Sequence, residues 1–127
     1  LCHPRDPKCL VTGGVDGFII WWDISTLRVH QRLALHGAVS CLRWSPSGKY
    51  LAVGALPSNP SEGAFLVIFQ YENTGLSVVT KIPNLSSEWL SAVAFKKDYS
   101  QLIASTKSGR LLLIDTGMKT IIDGLWV

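Results

Sequence analysis

An all-β chain is predicted, built of about three four-stranded antiparallel units whose sheets stack face to face. Three observations predict it. The apolar runs are short, β-branched or aromatic, and turn residues break them every 8–12 residues, with almost no helical periodicity. The sequence also repeats itself: Leu1, His3, Leu10 and Gly13 recur as Leu42, Trp44, Leu51 and Gly54 at an offset of 41, then as Val93, Phe95, Leu102 and Ser105 another 51 residues on. A second set, Ile20, Trp22 and Asp23, recurs as Val67, Phe69 and Gln70 at 47 and as Leu112, Ile114 and Asp115 at a further 45. Finally, segments 18–22, 65–69 and 111–114 are apolar on both faces, so each must be covered on both sides.

The elements follow in order. A strand from Cys9 leads through Gly13-Gly14-Val15-Asp16-Gly17 into a second strand ending on Trp22-Asp23. Asp16-Gly17 suits a two-residue hairpin with positive φ. Residues 28–35 supply an outer strand. Residues 39–44 alternate before Ser45-Pro46-Ser47-Gly48, whose proline and glycine favour a tight turn, and residues 50–53 return. The middle copy carries six extra residues between its two matched strands, which places an insertion at 56–63, and residues 76–82 form its outer strand. The last copy turns at Ser108-Gly109 and ends with an outer strand at 119–122. The expected units are residues 1–35, with an incomplete first strand; residues 36–86; and residues 87–127, a degenerate copy in which Trp126 starts a further unit. Antiparallel sheets stacked in series are what radially arranged blades provide.

Composition excludes several classes. Of 127 residues, 47% are hydrophobic and 17% charged, as in a folded chain and unlike a disordered tail. No apolar run approaches the roughly 18 residues of a membrane-spanning helix, so no membrane partner is expected. Residues 1–10 lack a charged region followed by an apolar one, so no secretory signal is expected there. Three cysteines, Cys2, Cys9 and Cys41, fit a reducing compartment better than a disulfide scaffold. The net charge of +3 is unclustered, with only Lys96-Lys97 adjacent, so nucleic acid is not expected as a partner.

The motif Val11-Thr12-Gly13-Gly14-Val15-Asp16-Gly17 leading to Trp22-Asp23 resembles the WD-repeat β-propeller family. So does His36-Gly37-Ala38-Val39 leading to Leu42-Arg43-Trp44-Ser45-Pro46-Ser47-Gly48-Lys49-Tyr50-Leu51-Ala52. The segment from Leu90 to Asp115 keeps the spacing, with Phe95, Ser105, Gly109 and Asp115. The resemblance implies a β-propeller fragment and a non-catalytic scaffold that binds proteins through rim loops. The family's stabilising network of His, Ser or Thr, Asp and Trp is never complete here: Asp16 and Trp22 stand in the first copy, His36 opposite Phe69 in the second, and Ser105 with Ile114 in the third. Three blades are too few for rings of about four to eight. The rest of a larger propeller is therefore the first expected partner. His3-Pro4 and Tyr50-Leu51-Ala52-Val53-Gly54 resemble microtubule- and cilium-associated WD-repeat proteins, which implies tubulin or axonemal partners and a cytoplasmic, cytoskeletal or ciliary location.

Chemical motifs are sparse. Cys2, His3, Cys9 and Cys41 fit no paired zinc spacing, and His3 occupies the repeat position of Trp44 and Phe95, which makes it a core residue. Ser40, His36 and Asp16 make a Ser-His-Asp set in composition alone, without a nucleophile elbow. Gly13-Gly14 precedes no helix and no phosphate-binding lysine. No catalytic residue, metal or cofactor is expected. Trp22 and Trp44 fall at core positions and Trp21 in a strand covered on both sides. Trp89 aligns with Ala38 at a rim, after the polar Asn84-Leu85-Ser86-Ser87-Glu88. It is either a partner-binding anchor or a ring folded over its own blade. The 56–63 loop is either a second contact or a tolerated insertion; its two prolines lower the entropy lost on binding. The partner-binding candidates are Trp89, Glu88, Pro57, Asn59, Pro60 and Glu62. Two other functions remain alongside the scaffold. One is a nucleic-acid-associated subunit of a ribonucleoprotein or chromatin complex. The other is a propeller enzyme using groups on the innermost strands, chiefly Ser40, Arg43 and Ser91.

Overall fold

The structure, a computed structural model, describes residues 1–59, 61–72, 74–97, 101–115 and 120–126. These residues are all strand and turn, in three antiparallel meanders. The first joins β1 (Cys9–Gly13), β2 (Phe18–Asp23) and β3 (Arg28–Ala34). The second joins β4 (Ala38–Trp44), β5 (Tyr50–Leu56), β6 (Ala64–Glu72) and β7 (Gly75–Ser86). The third joins β8 (Leu90–Lys97), β9 (Gln101–Thr106), β10 (Arg110–Asp115) and β11 (Thr120–Trp126). Residues 1–3 line the free edge of β1: Leu1 and Val11 exchange backbone bonds of 2.8 and 2.9 Å, and the His3 amide donates to the Cys9 carbonyl at 3.1 Å.

Of the three strands apolar on both faces, β6 alone is buried on both; β2 and β10 each bury one face and leave the other half-buried, because each has a sheet on one side only. Every residue of β6 from Ala64 to Phe69 is buried. Phe65, Val67 and Phe69 enter a core shared with the first sheet, beside Val11, Ile19, Trp21 and Trp44. Ala64, Leu66 and Ile68 enter a second core shared with the third sheet, beside Leu90, Leu102, Leu112 and Ile114. The middle sheet is therefore sandwiched, with β4 packed beside β8. In β2 the residues of one face, Ile19 and Trp21, are buried, while Phe18, Ile20 and Trp22 on the other face are only half-buried. Trp22 is thus displaced from its expected core role and Trp21 fills it. The Trp22 indole N–H instead donates to Thr12 Oγ1 at 3.0 Å.

Repetition extends to the irregularities. In each sheet the strand after the doubly apolar one carries an extra residue opposite equivalent positions: His30 between the partners of Trp21 and Trp22, Val79 between those of Ile68 and Phe69, and Ile122 between those of Leu113 and Ile114. Ser40 and Ser91 are the corresponding extra residues of β4 and β8. Such bulges sharpen local twist and re-aim side chains. His30 comes to rest 4.3 Å from the Trp21 ring, and Ser40 Oγ donates to the Gly54 carbonyl at 3.3 Å.

Three local features differ from expectation. The β1–β2 connection closes on a Gly14–Phe18 backbone bond, with Gly17 N–H on the Gly14 carbonyl at 3.1 Å and Gly17 at φ +85°. It is a three-residue loop ending in a left-handed glycine, the next commonest hairpin after the two-residue form. β7 runs four residues past 82, to Ser86, with Pro83 tolerated because β7 is an edge strand. Trp126 pairs with Arg110 at the end of β11, so it completes a fourth strand and does not start another unit.

One contact between sheets had no signal in the sequence. The Gln31 side chain donates to the Leu76 carbonyl at 3.0 Å and accepts from the Leu76 amide at 2.7 Å. It makes both bonds that a neighbouring strand would make, and so joins β3 to the start of β7. Replacing Leu66, fully buried between two sheets, with alanine should destabilise the full-length protein by about 2–5 kcal/mol in urea unfolding. Gln31→Leu should cost about 1–3 kcal/mol because it orphans both Leu76 backbone groups. Val78→Thr, at a residue 62% exposed, should stay within about 0.5 kcal/mol of wild type.

Candidate functional site

Antiparallel meanders collect alternate connections at one end of the stack. The β1–β2 turn, the β3–β4 connection, the β5–β6 loop, the β7–β8 connection and the β9–β10 turn form one rim. Backbone bonds lock the first two together: Leu35 N–H donates to the Gly17 carbonyl at 2.8 Å and Val39 N–H to the Gly14 carbonyl at 3.0 Å. Gly17 packs so closely on Gly37 that a Cβ there would lie 3.0 Å from the Gly37 carbonyl oxygen. His36 between them takes φ +58° and stays exposed.

These connections enclose an open cleft of about 540 Å³ lined by Val15, Asp16, His36, Leu56, Pro57 and Trp89, with backbone from Gly37. Trp89 is half-buried, and its carbonyl accepts from the Lys107 amide at 2.9 Å. The ring is thus neither fully exposed nor fully covered, and it contributes to the lining of the cleft. Pro57 lies in the same cleft, so the structure brings two of the six sequence candidates together.

Glu88, Asn59 and Glu62 do not line this cleft. The Glu88 carboxylate accepts from Ser108 Oγ at 2.6 Å, and this bond holds its pKa below the usual carboxylate value. Glu88 therefore ties the β7–β8 connection to the β9–β10 turn. Asn59 Oδ1 accepts from the amide and hydroxyl of Ser61 at 3.0 and 2.8 Å, so it shapes its own loop. Glu62 lies at a smaller cavity of about 200 Å³ with Pro57, Phe65 and Lys81, where Lys81 Nζ sits 4.4 Å from the Phe65 ring centre. Pro60 lies outside the described residues. The loop is further anchored where the Gly63 amide donates to Asn84 Oδ1 at 3.3 Å.

A second polar cluster lies elsewhere, beside the β4–β5 turn. Buried His3 accepts at Nδ1 from the amides of Arg5 and Asp6, at 3.0 and 2.9 Å, and so must donate from Nε2 to the Gly48 carbonyl at 2.8 Å. Gly48 holds φ +77°, and a Cβ on it would lie 2.6 Å from the imidazole. Tyr71 OH donates to Asp6 Oδ2 at 2.7 Å, and its ring stands 4.2 Å from His3, 5.2 Å from Trp21 and 5.7 Å from Trp44. Sequence reading placed His3 in the core but missed Tyr71 and Asp6, which lie 65 residues apart. Both His3 nitrogens are occupied, so the ring has no free site for proton transfer. The cluster is a fastening for residues 1–8.

Among the described residues the other chemical candidates of the sequence are not brought together into one site. No hydrogen bond joins Ser40, His36 and Asp16 among the described residues, and Ser91 Oγ pairs with Ser105 Oγ at 2.7 Å. Burial pushes the Cys9 thiol up to about 12, so it is held as an inert thiol. Among the described residues no group of three or more His, Cys, Asp or Glu side chains is placed to hold a metal.

Residues 25–59 match the family model described as WD domain, G-beta repeat. That segment runs from the turn before β3 through β4 and β5. The whole chain superimposes on solved propellers at low identity. The Cps50 (Swd1) β-propeller domain of Myceliophteria thermophila matches at 19% identity and TM-score 0.79, over 98% of this chain and 39% of that one. The RRP9 WD40 repeats match at 18% and 0.76, over 100% and 37%, and U3-55K at 18% and 0.77, over 100% and 38%. This chain thus spans less than two-fifths of the structures it resembles.

The fastening has a pH signature. The bonds from Tyr71 OH and the Lys8 amide lower the Asp6 pKa from 3.8, so its stabilisation is full above about pH 4 and lost as pH falls through the depressed folded value. Burial and the bond to Asp6 raise the Tyr71 phenol above 10, so stability also declines as pH rises past that value. Tyr71→Phe should lower stability at pH 7 and flatten the acid limb of a Tm-against-pH curve. Asp23 and Glu88, both with lowered pKa values, keep the remainder of that limb.

Proposed function

From a chain that carries a WD40 repeat and folds as β-propeller blades, we infer a non-catalytic scaffold that binds other proteins through the rim around Trp89 and Pro57. The observation that carries this reading is the cleft itself. Four connections from successive sheets converge on it; backbone bonds hold three of them and the Asn84 side chain anchors the fourth before any partner arrives. A preformed concavity of mixed polar and apolar lining, with a tryptophan in its wall, suits a protein hot spot. Among the described residues, two of the groups an enzyme could use, Ser40 and Ser91, are hydrogen-bonded to the Gly54 carbonyl and to Ser105.

The remaining blades of a larger propeller are the nearest partners under this reading. The outward faces of the first and third sheets support it, with Ile20 and Trp22 on one and Leu111 and Leu113 on the other only half-buried. The residues that resemble microtubule- and cilium-associated proteins extend the reading to tubulin or axonemal partners in the cytoplasm. Co-sedimentation of the full-length protein with microtubules tests that extension.

Trp89→Ala, and separately deletion of residues 57–62, should reduce recovery of partner proteins from the full-length protein several-fold while leaving its Tm within a few degrees. Undiminished recovery with both folded variants would remove the rim cleft from the interaction.

A further inference from the structure

Resting on the rim as the partner site, we propose that the cleft receives a basic side chain, arginine or lysine, projecting from an extended segment of the partner protein.

The cleft's chemistry is asymmetric. Its walls are apolar at Val15, Leu56, Pro57 and Trp89, and Val15 is 81% exposed. Among the residues that line it, Asp16 supplies the single formal charge. Asp16 Oδ1 is engaged by the Phe18 amide at 3.2 Å, which fixes the carboxylate in place and leaves Oδ2 for a ligand. An aliphatic stem over proline, leucine and valine, a cation against an indole, and a carboxylate at its end together match a lysine or arginine.

Other occupants fit less well. An acidic peptide would meet Asp16 in the cleft, and Glu62 and Glu88 on the flanking connections. A wholly apolar anchor would bury the Asp16 carboxylate without a counter-charge, which is costly. The nearby cations do not neutralise the cleft: Lys81 lies over Phe65, and Lys107 acts on Glu88. The chain's own surface shows the same pairing twice, with Lys81 on Phe65 and with Arg32 4.0 Å above Phe18. The walls need little rearrangement to accept the side chain. The Leu35, Val39 and Lys107 amides and the Ser108–Glu88 bond already hold all the connections but the β5–β6 loop, which is anchored through Asn84.

The test uses the full-length protein and acetylated, amidated pentapeptides Gly-Ala-Xaa-Ala-Gly, with Xaa arginine, lysine, citrulline or glutamate, titrated at low salt. Arginine and lysine peptides should bind about tenfold tighter than citrulline or glutamate peptides, and should weaken as salt is raised. Asp16→Asn should abolish that preference without unfolding the turn, because asparagine keeps an oxygen for the Phe18 amide. Trp89→Leu should weaken the arginine peptide by a similar factor. Equal binding of arginine and citrulline peptides, no detectable binding of the arginine peptide, or an unchanged preference in Asp16→Asn would overturn the proposal. Partner recovery separates the two inferences. Partners lost with Trp89→Ala but kept with Asp16→Asn leave the rim standing and remove the basic anchor. Partners kept with both variants remove both.

Discussion

Burial of β6 on both faces is the constraint from which the rest follows. A strand whose six residues from Ala64 to Phe69 are all inaccessible cannot sit in a sheet with a wet side. It needs a sheet in front and another behind, and its backbone must be paired on both edges, which β5 and β7 do. Serial stacking then leaves the connections nowhere to go but the two ends of the stack. Any site must be assembled there, from loops of successive sheets, and the cleft at Trp89 is such an assembly.

The two ends do different work. Around His3 the polar groups face inward and satisfy one another: imidazole on backbone, phenol on carboxylate, glycine beneath the ring. Their hydrogen bonds are spent on one another, although they border an open cavity of about 430 Å³ with Arg5 and Lys49. At the other rim backbone bonds join neighbouring connections, with Glu88 and Asn84 bracing two more, and the side chains of Val15, Asp16, His36 and Trp89 line a cleft. Rigidity there does not draw on those four side chains, so they are available to a partner.

Much of the fold was legible because a strand's environment is written in its alternation. The repeat of Leu10, Leu51 and Leu102 marked equivalent strands, and equivalent bulges at His30 and Val79 follow the same register. The site was legible only in part. Trp89 and Pro57 stood out as an aromatic and a rigid residue in loops, yet nothing local showed that they share a cleft with Asp16, which is 73 positions away from Trp89 in the chain. Glu88 and Asn59 looked like free polar groups because hydrogen bonds to Ser108 and Ser61 are invisible in composition.

The sequence by itself determined the all-β class, the repeat, the doubly covered β6 and the loop that bears the insertion. Each of these is set by local propensity and by the period of apolar residues along the chain. Only the tertiary structure decided that Trp21 and not Trp22 enters the core, because both flank the same point of β2 and the choice depends on which face meets the second sheet. The same holds for the Gln31 clasp on Leu76, the His3–Asp6–Tyr71 fastening and the company of Trp89. All three join residues at least 45 positions apart, or loops of different sheets, and such meetings are fixed by how sheets stack, not by any pattern within one of them.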